Sequence, residues 1–286
     1  MTFIKSIIGE STNIILKKYS PPSPELLITD QECINIAFLD TETTGFDRAN
    51  DLVIEIAIKV VRFETKSGKI LSIDGCYESF NDPEQDIHQE ITLLTGIENH
   101  MVRGELIDWE KVDKLLVDVD LIIAHNAGFD RAFIDRYSSV SSKKNWACSI
   151  NDIDWLNRGF ASSKQELLCY WHGFYFDAHR AMNDVDALIH LLTFDPDNGK
   201  RPLIELIESS RKPEYVIFAD HFKYDPLKKD IIKRNKYKWN PDRKVWYKKV
   251  NFDELDNQME WLTSIIYDQI FEGRVEEINP NDKYKF

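Results

Sequence analysis

The 286 residues of this chain are 43% hydrophobic and 12% aromatic, a composition that supports about two ordinary domains and excludes an intrinsically disordered protein. The sequence holds 36 lysine and arginine residues against 49 aspartate and glutamate residues, which gives a net charge of −13. Taken over the whole chain, that charge argues against attachment to nucleic acid or to an anionic membrane by bulk electrostatics.

Residues 1–30 are predicted to form an N-terminal arm. Apolar residues recur on one face between residues 3 and 18, a pattern that predicts a short helix. Prolines at positions 21, 22 and 24 then favour a stiff extended connector. We interpret the arm as a packing element.

A strand-rich segment follows, and residues 31–200 are predicted to form one α/β domain. The predicted strands are apolar and rich in β-branched residues, and they cover Ile34–Leu39, Leu52–Phe63, Lys69–Phe80 and Leu121–Ala124. Helical periodicity is found before Val119 and over Ala127–Tyr137, Lys164–His172 and Arg180–Leu192. Three early strands followed by β–α alternation predict a mixed sheet flanked by helices.

The turn-rich segment Asp195–Pro202 is predicted to separate this domain from a small α+β accessory domain at residues 213–275. A basic helix is predicted over Pro226–Asn235, followed by the short strands Tyr237–Trp239 and Lys244–Tyr247 around an Asn-Pro-Asp-Arg turn. Apolar residues at a spacing of three to four from position 252 to position 270 predict a long amphipathic helix.

Four acidic residues follow predicted strands or begin predicted helices. Asp40 and Glu42 are two residues apart at a strand end, so both side chains lie on one side of the sheet and repel each other unless a cation lies between them. Asp130 and Asp184 each fall in the first turn of a helix. Taken singly, each has an ordinary explanation, a solvated turn or an aspartate at a helix N-terminus.

Their order and sequence contexts are more specific than any one of them. The chain contains a strand followed by D-T-E-T-T-G-F, a second strand followed by H-N-A-G-F-D, and then H-R-A-M-N-D at the start of a helix. This order resembles the DEDDh (DnaQ-like) 3′→5′ exonucleases, the family of polymerase proofreading subunits and of ribonuclease T. The resemblance covers roughly residues 33–195, and Ile91–Ile97 is similar to that family's intervening I-T-G-I-T segment.

The resemblance implies a ribonuclease H-like fold and a catalytic site that uses two divalent cations, Mg²⁺ or Mn²⁺. Asp40, Glu42 and Asp184 would be direct metal ligands, and Asp130 would hold its metal at least partly through water. Four carboxylates carry four negative charges, which two divalent cations neutralise, so the site can then accept a phosphodiester.

His179 would be the general base that deprotonates the attacking water, a role suited to a group that titrates near pH 6.5. It stands five residues before Asp184, which is the spacing of the histidine class. The related tyrosine class would require tyrosine at position 180, where this chain has arginine.

The same resemblance implies a pocket for the terminal nucleotide. Thr43, Thr44 and Phe46 occupy the positions that hold that nucleotide in the family, with the hydrophobic residue stacked on the base. Asn126 and Phe129 flank the second motif, where they either shape the pocket or serve packing alone.

Residues 223–249 form a basic module with eleven lysine or arginine residues and three aspartates, a local net charge of +8. Trp239 and Trp246 lie among these charges. Aromatic side chains that stack on bases, with cations that follow phosphates, are typical of single-strand binding. The alternative is that the two tryptophans form the core of the small domain.

The sequence lacks the features of secreted and membrane proteins. No apolar run approaches the ~20 residues that span a bilayer, and the first ten residues make a poor signal peptide. The cysteines are dispersed, which predicts reduced thiols rather than disulfides or zinc ligands; they are Cys33, Cys76, Cys148 and Cys169. We therefore expect a cytoplasmic protein.

Together these patterns predict an enzyme that releases nucleoside monophosphates from the 3′ ends of single-stranded DNA by two-metal hydrolysis. Two alternatives stay open at this point: a 3′ exoribonuclease that processes RNA, and a non-catalytic protein on the same fold that binds nucleic acid or a polymerase. The expected partners are 3′ ends of single-stranded DNA or RNA, with a DNA polymerase or a second copy of the chain as further candidates. No membrane partner is expected.

Overall fold

The computed structural model describes residues 16–19, 32–194 and 199–285, and the chain divides into two compact units. The first unit extends to Ser210 and includes Tyr284, and the second covers Arg211–Lys283. Most of the predicted N-terminal arm and residues 195–198 of the predicted boundary lie outside the described residues.

The helix predicted over residues 3–18 is wrong at its C-terminal end. Lys17–Lys18 form a two-residue strand, β1, that runs parallel to Phe174–Tyr175. In a helix these backbone groups would bond within the same segment. Here they bond to the neighbouring strand, and the Lys17 N–H donates to Gly173 O at 3.1 Å. Tyr19 packs its ring against the side chain of His190.

The first unit is built on a five-stranded mixed sheet with the order β4-β3-β2-β5-β6. Three long strands form an antiparallel meander, and two short strands extend it in parallel on the other side of β2. The strands are β2 (Cys33–Thr43), β3 (Val53–Glu64), β4 (Ile70–Phe80), β5 (Leu121–Ala124) and β6 (Trp146–Cys148), and Phe174–Tyr175 is β7.

Helices cover both faces of this sheet. They are α1 (Gln89–Thr95), α2 (Asn99–Val102), α3 (Trp109–Leu116), α4 (Ala127–Ile134), α5 (Gln165–Trp171), α6 (Ala181–Thr193) and α7 (Pro202–Ser210). Alternate residues of β2 enter two different cores: Ile36 and Phe38 pack with α6 and α7, and Ala37 and Leu39 pack with α3 and α4. This arrangement confirms the predicted α/β class with a mixed sheet between helical layers.

The second unit is a four-stranded antiparallel sheet with the order β11-β8-β10-β9 and two helices. Its elements are β8 (Glu214–Ala219), α8 (Pro226–Arg234), β9 (Lys238–Asn240), β10 (Val245–Asn251), α9 (Leu255–Trp261) and β11 (Arg274–Ile278). The predicted basic helix and strand pair are present, whereas the sequence patterns missed β8 and β11.

The helix predicted from position 252 to position 270 is present but ends early, at Ile266, and is not a regular α-helix throughout. A 3₁₀ turn at Phe252–Glu254 leads into α9, which widens into a π-helical stretch at Leu262–Ile266. Asp268 and Gln269 then adopt positive φ angles, a conformation that no α-helix accommodates, and the chain continues to β11. Across the described ranges, no helix is long and apolar enough to cross a membrane.

Candidate active site

Three carboxylates converge where β2 meets the first turn of α6. Asp40 and Glu42 lie in β2, which continues through both residues to Thr43, so their side chains share one face of the strand. Asp184 lies in the first turn of α6, where the Arg180 backbone N–H donates to its Oδ2 at 3.1 Å. One oxygen from each of the three side chains lies within 4.8 Å of the others.

Burial and mutual repulsion make this group costly to charge without a cation. Burial, followed by the charge of Asp184, raises the pKa of Asp40 well above its ordinary value and raises the pKa of Glu42 to about 8. Burial also raises the pKa of Asp184 to about 7, although hydrogen bonds from the backbone N–H groups of Arg180 and His179 lower it. Oxygen donors held this close suit a hard divalent cation, so the donor set fits the metal that the family resemblance implies.

Asp130 stands beside this group but does not belong to the three-residue cluster. It lies in the first turn of α4 and is almost fully buried. Its Oδ1 accepts hydrogen bonds from the Thr41 backbone N–H at 3.1 Å and from Thr41 Oγ1 at 2.8 Å. Burial raises the pKa of Asp130 to about 7, and the bonds from Thr41 lower it. Thr41 therefore fixes Asp130 to the same strand that carries Asp40 and Glu42.

His179 lies in the short segment between β7 and α6, with its side chain half-buried. Its φ angle is +63°, an uncommon conformation for a residue other than glycine. The His179 backbone N–H donates a hydrogen bond to the Asp184 carboxylate and thereby lowers the pKa of Asp184. The segment thus holds His179 next to a carboxylate of the candidate site by backbone contacts.

An ion pair that the sequence patterns did not predict supports this segment. Arg180 donates from Nη2 to Glu55 Oε1 at 2.8 Å and from Nε to the same oxygen at 3.2 Å, and Glu55 Oε2 accepts the Ala181 backbone N–H at 3.0 Å. Glu55 lies directly opposite Glu42 in the pairing of β2 with β3. An acidic residue inside the apolar run Val53–Val61 was the available signal, because a buried carboxylate needs a partner.

Asp186, two residues after Asp184, faces away from the three-carboxylate group. It forms an ion pair with Lys59 of β3. A helix turns about 200° over two residues, so only one of the two aspartates can face the site. Of these two aspartates, Asp184 is the one that lies in the three-carboxylate group.

Thr43 and Thr44 bind within their own loop. Thr43 Oγ1 donates to Gly45 O at 2.6 Å, and Thr44 Oγ1 donates to Asp51 Oδ1 at 2.8 Å. A Cβ at position 45 would lie 2.4 Å from Asp51 Oδ2, so this turn favours glycine. The two threonine hydroxyls fix the loop that carries Phe46.

Phe46 is the exposed aromatic residue of this loop, with 79% of its surface accessible to solvent. Its ring centroid lies 6.2 Å from that of Phe129, which in turn packs on Phe133. Asn126 has a left-handed conformation at the N-cap of α4. The structure thus brings Phe46 and Phe129 together, whereas Trp239 and Trp246 belong to the second unit.

Comparison with known proteins agrees with the geometry. The sequence model of the exonuclease family, RNase_T, matches residues 37–192. Among curated proteins, the chain is 39% identical over 100 residues to the PolC-type DNA polymerase III of Clostridium perfringens, a match that covers 34% of this chain and 6% of that one. It is 28% identical over 161 residues to the PolC-type polymerase of Bacillus subtilis, covering 54% of this chain and 11% of that one. The chain therefore spans about a tenth or less of the length of these relatives.

Solved structures show the same fold at low sequence identity. The zinc-bound E. coli ExoI–ssDNA complex has a TM-score of 0.54 at 17% identity, covering 76% of this chain and 63% of that one. E. coli Exonuclease I in complex with a dA16 oligonucleotide has a TM-score of 0.50 at 16% identity, covering 87% and 64%. The decisive finding is the family match, which covers more than half of the chain. Together with the convergent carboxylates, it shows that this chain belongs to the family of DnaQ-like 3′→5′ exonucleases.

Proposed function

We propose that this protein hydrolyses the 3′-terminal phosphodiester bond of single-stranded DNA and releases nucleoside 5′-monophosphates. The observation that carries the proposal is the approach of Asp40, Glu42 and Asp184 to within 4.8 Å of one another in a partly buried site. A mere structural role would not require three like charges in contact, whereas metal-dependent phosphodiester hydrolysis does.

The residues divide the chemistry among them. Asp40, Glu42 and Asp184 would hold divalent cations, Mg²⁺ or Mn²⁺, and Asp130 would contribute through water. Bound cations supply charge neutralisation at the phosphate and lower the pKa of water. His179 accepts the proton of the attacking water, the water oxygen forms a bond to phosphorus, and the bond from phosphorus to the 3′-oxygen of the preceding nucleotide breaks. That oxygen takes up a proton from solvent and becomes the new 3′-hydroxyl, and His179 returns its proton to solvent.

The loop that carries Phe46 would hold the terminal nucleotide. Phe46 is exposed and is supported from one side by Phe129, so its free face can stack on a base. The hydroxyls of Thr43 and Thr44 are engaged in the loop, so we assign to them the placement of Phe46 and of the loop backbone. Asn126, with a left-handed backbone, directly precedes α4, the helix that carries Asp130.

Degradation of end-labelled oligonucleotides tests this proposal. Single-stranded DNA and RNA of equal sequence, labelled at the 5′ end, are incubated with the protein and Mg²⁺ or Mn²⁺. A ladder that shortens by one nucleotide at a time, disappears with chelator and stops at a 3′-terminal phosphorothioate linkage is expected on DNA. A stronger ladder on RNA would instead identify a 3′ exoribonuclease.

Variants separate the active site from the rest of the fold. Asp40→Ala and His179→Ala should each abolish the ladder. Two control variants change the same residue types outside the three-carboxylate group: Asp186→Asn replaces an aspartate, and His100→Ala replaces a histidine. Both variants should still produce the ladder. An undiminished ladder from Asp40→Ala, or no ladder from the wild-type protein on any 3′ end, would disprove the proposed hydrolysis.

A further inference from the structure

The second unit contains a pocket that the catalytic carboxylates do not explain. Its volume is about 610 Å³, which lies in the range of small-molecule and cofactor sites. It lies between α8, the segment that precedes α8, and the hairpin formed by β9 and β10. Aromatic and basic side chains together form most of its lining.

Four cationic side chains line this pocket. Lys229 and Lys233 are four residues apart on α8 and so lie on one face of the helix, and Arg243 and Lys244 come from the turn between β9 and β10. None of the four forms an ion pair with a carboxylate in the parts of the chain that the structure describes. Their neighbour Lys228 does, pairing with Asp268 outside the pocket lining.

Asp220 also lines the pocket, and its charge is already engaged. Its Oδ2 lies 3.2 Å from Arg274 Nε, and its backbone carbonyl accepts a hydrogen bond from Tyr267 Oη. The pocket therefore presents several positive charges that are free to meet an anion.

The aromatic side chains of the pocket have distinct environments. Trp239 and Trp246 stand opposite each other in the hairpin, with ring centroids 5.4 Å apart. Trp246 is 6% exposed and belongs to the core of the unit, so it supports the hairpin. Trp239 is 46% exposed and Tyr224 is 74% exposed. Lys229 Nζ lies 5.9 Å from the centre of the Tyr224 ring.

We propose that this pocket binds single-stranded nucleic acid, with a base stacked on Trp239 and phosphates held by the cations of α8 and the hairpin turn. A flat exposed ring beside unpaired cations matches the two chemical parts of a nucleotide, an aromatic base and an anionic phosphate. A concave pocket admits a base that is free of a helical stack and excludes one that remains paired in a duplex. The ligand class is thus single-stranded DNA or RNA.

This inference goes beyond the proposed hydrolysis because no catalytic carboxylate takes part in it. Binding at the pocket and cleavage at the carboxylates can be measured separately. Chelator removes the divalent cations and with them cleavage, so that binding to the intact chain is measured alone.

Fluorescence anisotropy of labelled single-stranded DNA and RNA with the full-length protein in chelator tests the pocket. Lys229→Glu/Lys233→Glu should weaken binding at least about 10-fold and lower the slope of log K against log salt by about 1.4, since each lost phosphate contact contributes about 0.7 on single strands. The matched control Arg234→Glu/Lys238→Glu makes the same charge change on α8 and β9 outside the pocket lining. It should weaken binding less than about 3-fold.

Trp239→Ala tests the stacking interaction and should weaken binding about 5- to 150-fold with an unchanged salt slope, the range expected for loss of one aromatic–base stack. Trp239→Phe keeps a ring and should bind within about 3-fold of the wild-type protein, while circular dichroism shows that both variants fold. Inorganic polyphosphate, which has charge without bases, should compete much less well than an oligonucleotide of equal charge.

Three results would overturn the assignment: equal weakening by the pocket and control charge variants, wild-type binding by Trp239→Ala, or equal competition by polyphosphate. Failure of this inference can be told from failure of the proposed function. If mononucleotides are released but the pocket variants bind as tightly as the wild-type protein, only the proposed binding at the pocket is refuted. Pocket-dependent binding without any release in Mg²⁺ refutes the hydrolysis alone.

Discussion

Arg180 and Glu55 join the start of α6 to the inside of β3 through a forked ion pair. The guanidinium donates twice to Glu55 Oε1, and the other carboxylate oxygen accepts the first backbone N–H of α6. Glu55 is 1% exposed and Arg180 is 36% exposed. Because His179 immediately precedes Arg180 and Asp184 lies one turn beyond it, the pair positions both candidate catalytic groups at once.

Glu55→Gln should therefore impair hydrolysis more than it impairs folding. The amide keeps the size of the side chain and weakens the forked pair, so we expect kcat to fall about 10- to 100-fold through misplacement of His179 and Asp184, with KM within about 2-fold. The partly exposed arginine limits the loss of unfolding free energy to about 1–2 kcal/mol. Steady-state kinetics and urea unfolding measure the two effects.

Asp186→Asn is the matched control for that substitution, because it removes the ion pair with Lys59 that also joins α6 to β3. It should lower stability by a similar amount and leave kcat close to the wild-type value. An equal loss of kcat in both variants would mean that Glu55 only stabilises the fold.

Asp184→Asn should abolish hydrolysis and stabilise the metal-free protein. Three carboxylates within 4.8 Å repel one another, so neutralising one should raise the free energy of unfolding by about 1–3 kcal/mol in chelator at pH 8.5. Mg²⁺ should stabilise the wild-type protein through linkage and should stabilise the variant far less. Thermal unfolding with chelator and with Mg²⁺ measures both effects. The exposed residue Asp118 gives the control Asp118→Asn, and an Asp184 variant less stable than this control in chelator would contradict the expectation.

Local periodicity was sufficient to predict the parts of the site that depend on neighbouring residues. Strand alternation predicted that Asp40 and Glu42 share one face, and β2 continues through both residues. Helical periodicity predicted that Asp184 lies early in a helix, and it lies in the first turn of α6. The ion pair between Arg180 and Glu55 could not be predicted from the sequence, because it depends on the register of two strands and joins residues more than 120 positions apart.

The second unit shows the same division between local and non-local information. Its helix α8 and the β9–β10 hairpin follow local signals, including a tight turn. In contrast, β8 lies between β10 and β11 and pairs with both, and β11 pairs with β8, through contacts that are distant in the sequence. Trp239 and Trp246 have similar basic contexts in the sequence. Tertiary packing alone makes one of them exposed and the other part of the core.

Two histidines, His125 and His172, should each contribute a loss of stability in mild acid. Burial lowers the pKa of His125 and of His172 to about 4, whereas the unfolded chain should titrate near 6.5. At these two positions the unfolded state then binds more protons than the folded state between pH 6.5 and 4, so their contribution to stability should be lost as the pH falls through this window. The four site carboxylates, whose pKa values are raised, change stability in the opposite direction in the metal-free protein. His172 stacks on Phe160 with ring centroids 5.1 Å apart, and His172→Phe keeps an aromatic ring in that place.

The variant His172→Phe should reduce proton uptake on unfolding by about one between pH 6.5 and 4.5. Urea unfolding at a series of pH values gives this number as the difference between the two slopes of unfolding free energy against pH. Above pH 7.5 the two slopes should coincide. Identical slopes in the acid window would show that His172 does not stay neutral in the folded protein.

Phe46→Ala should raise KM for an oligonucleotide and leave the fold intact. The ring is 79% exposed, so its removal should change the free energy of unfolding by less than about 0.5 kcal/mol. Loss of one stacked base should raise KM about 5-fold or more, with a smaller effect on kcat, and Phe46→Trp should restore the wild-type KM. Leu156 is similarly exposed at 77%, and Leu156→Ala provides the control for loss of exposed apolar surface. Equal KM values for Phe46→Ala and Leu156→Ala would show that Phe46 does not contribute to nucleotide binding.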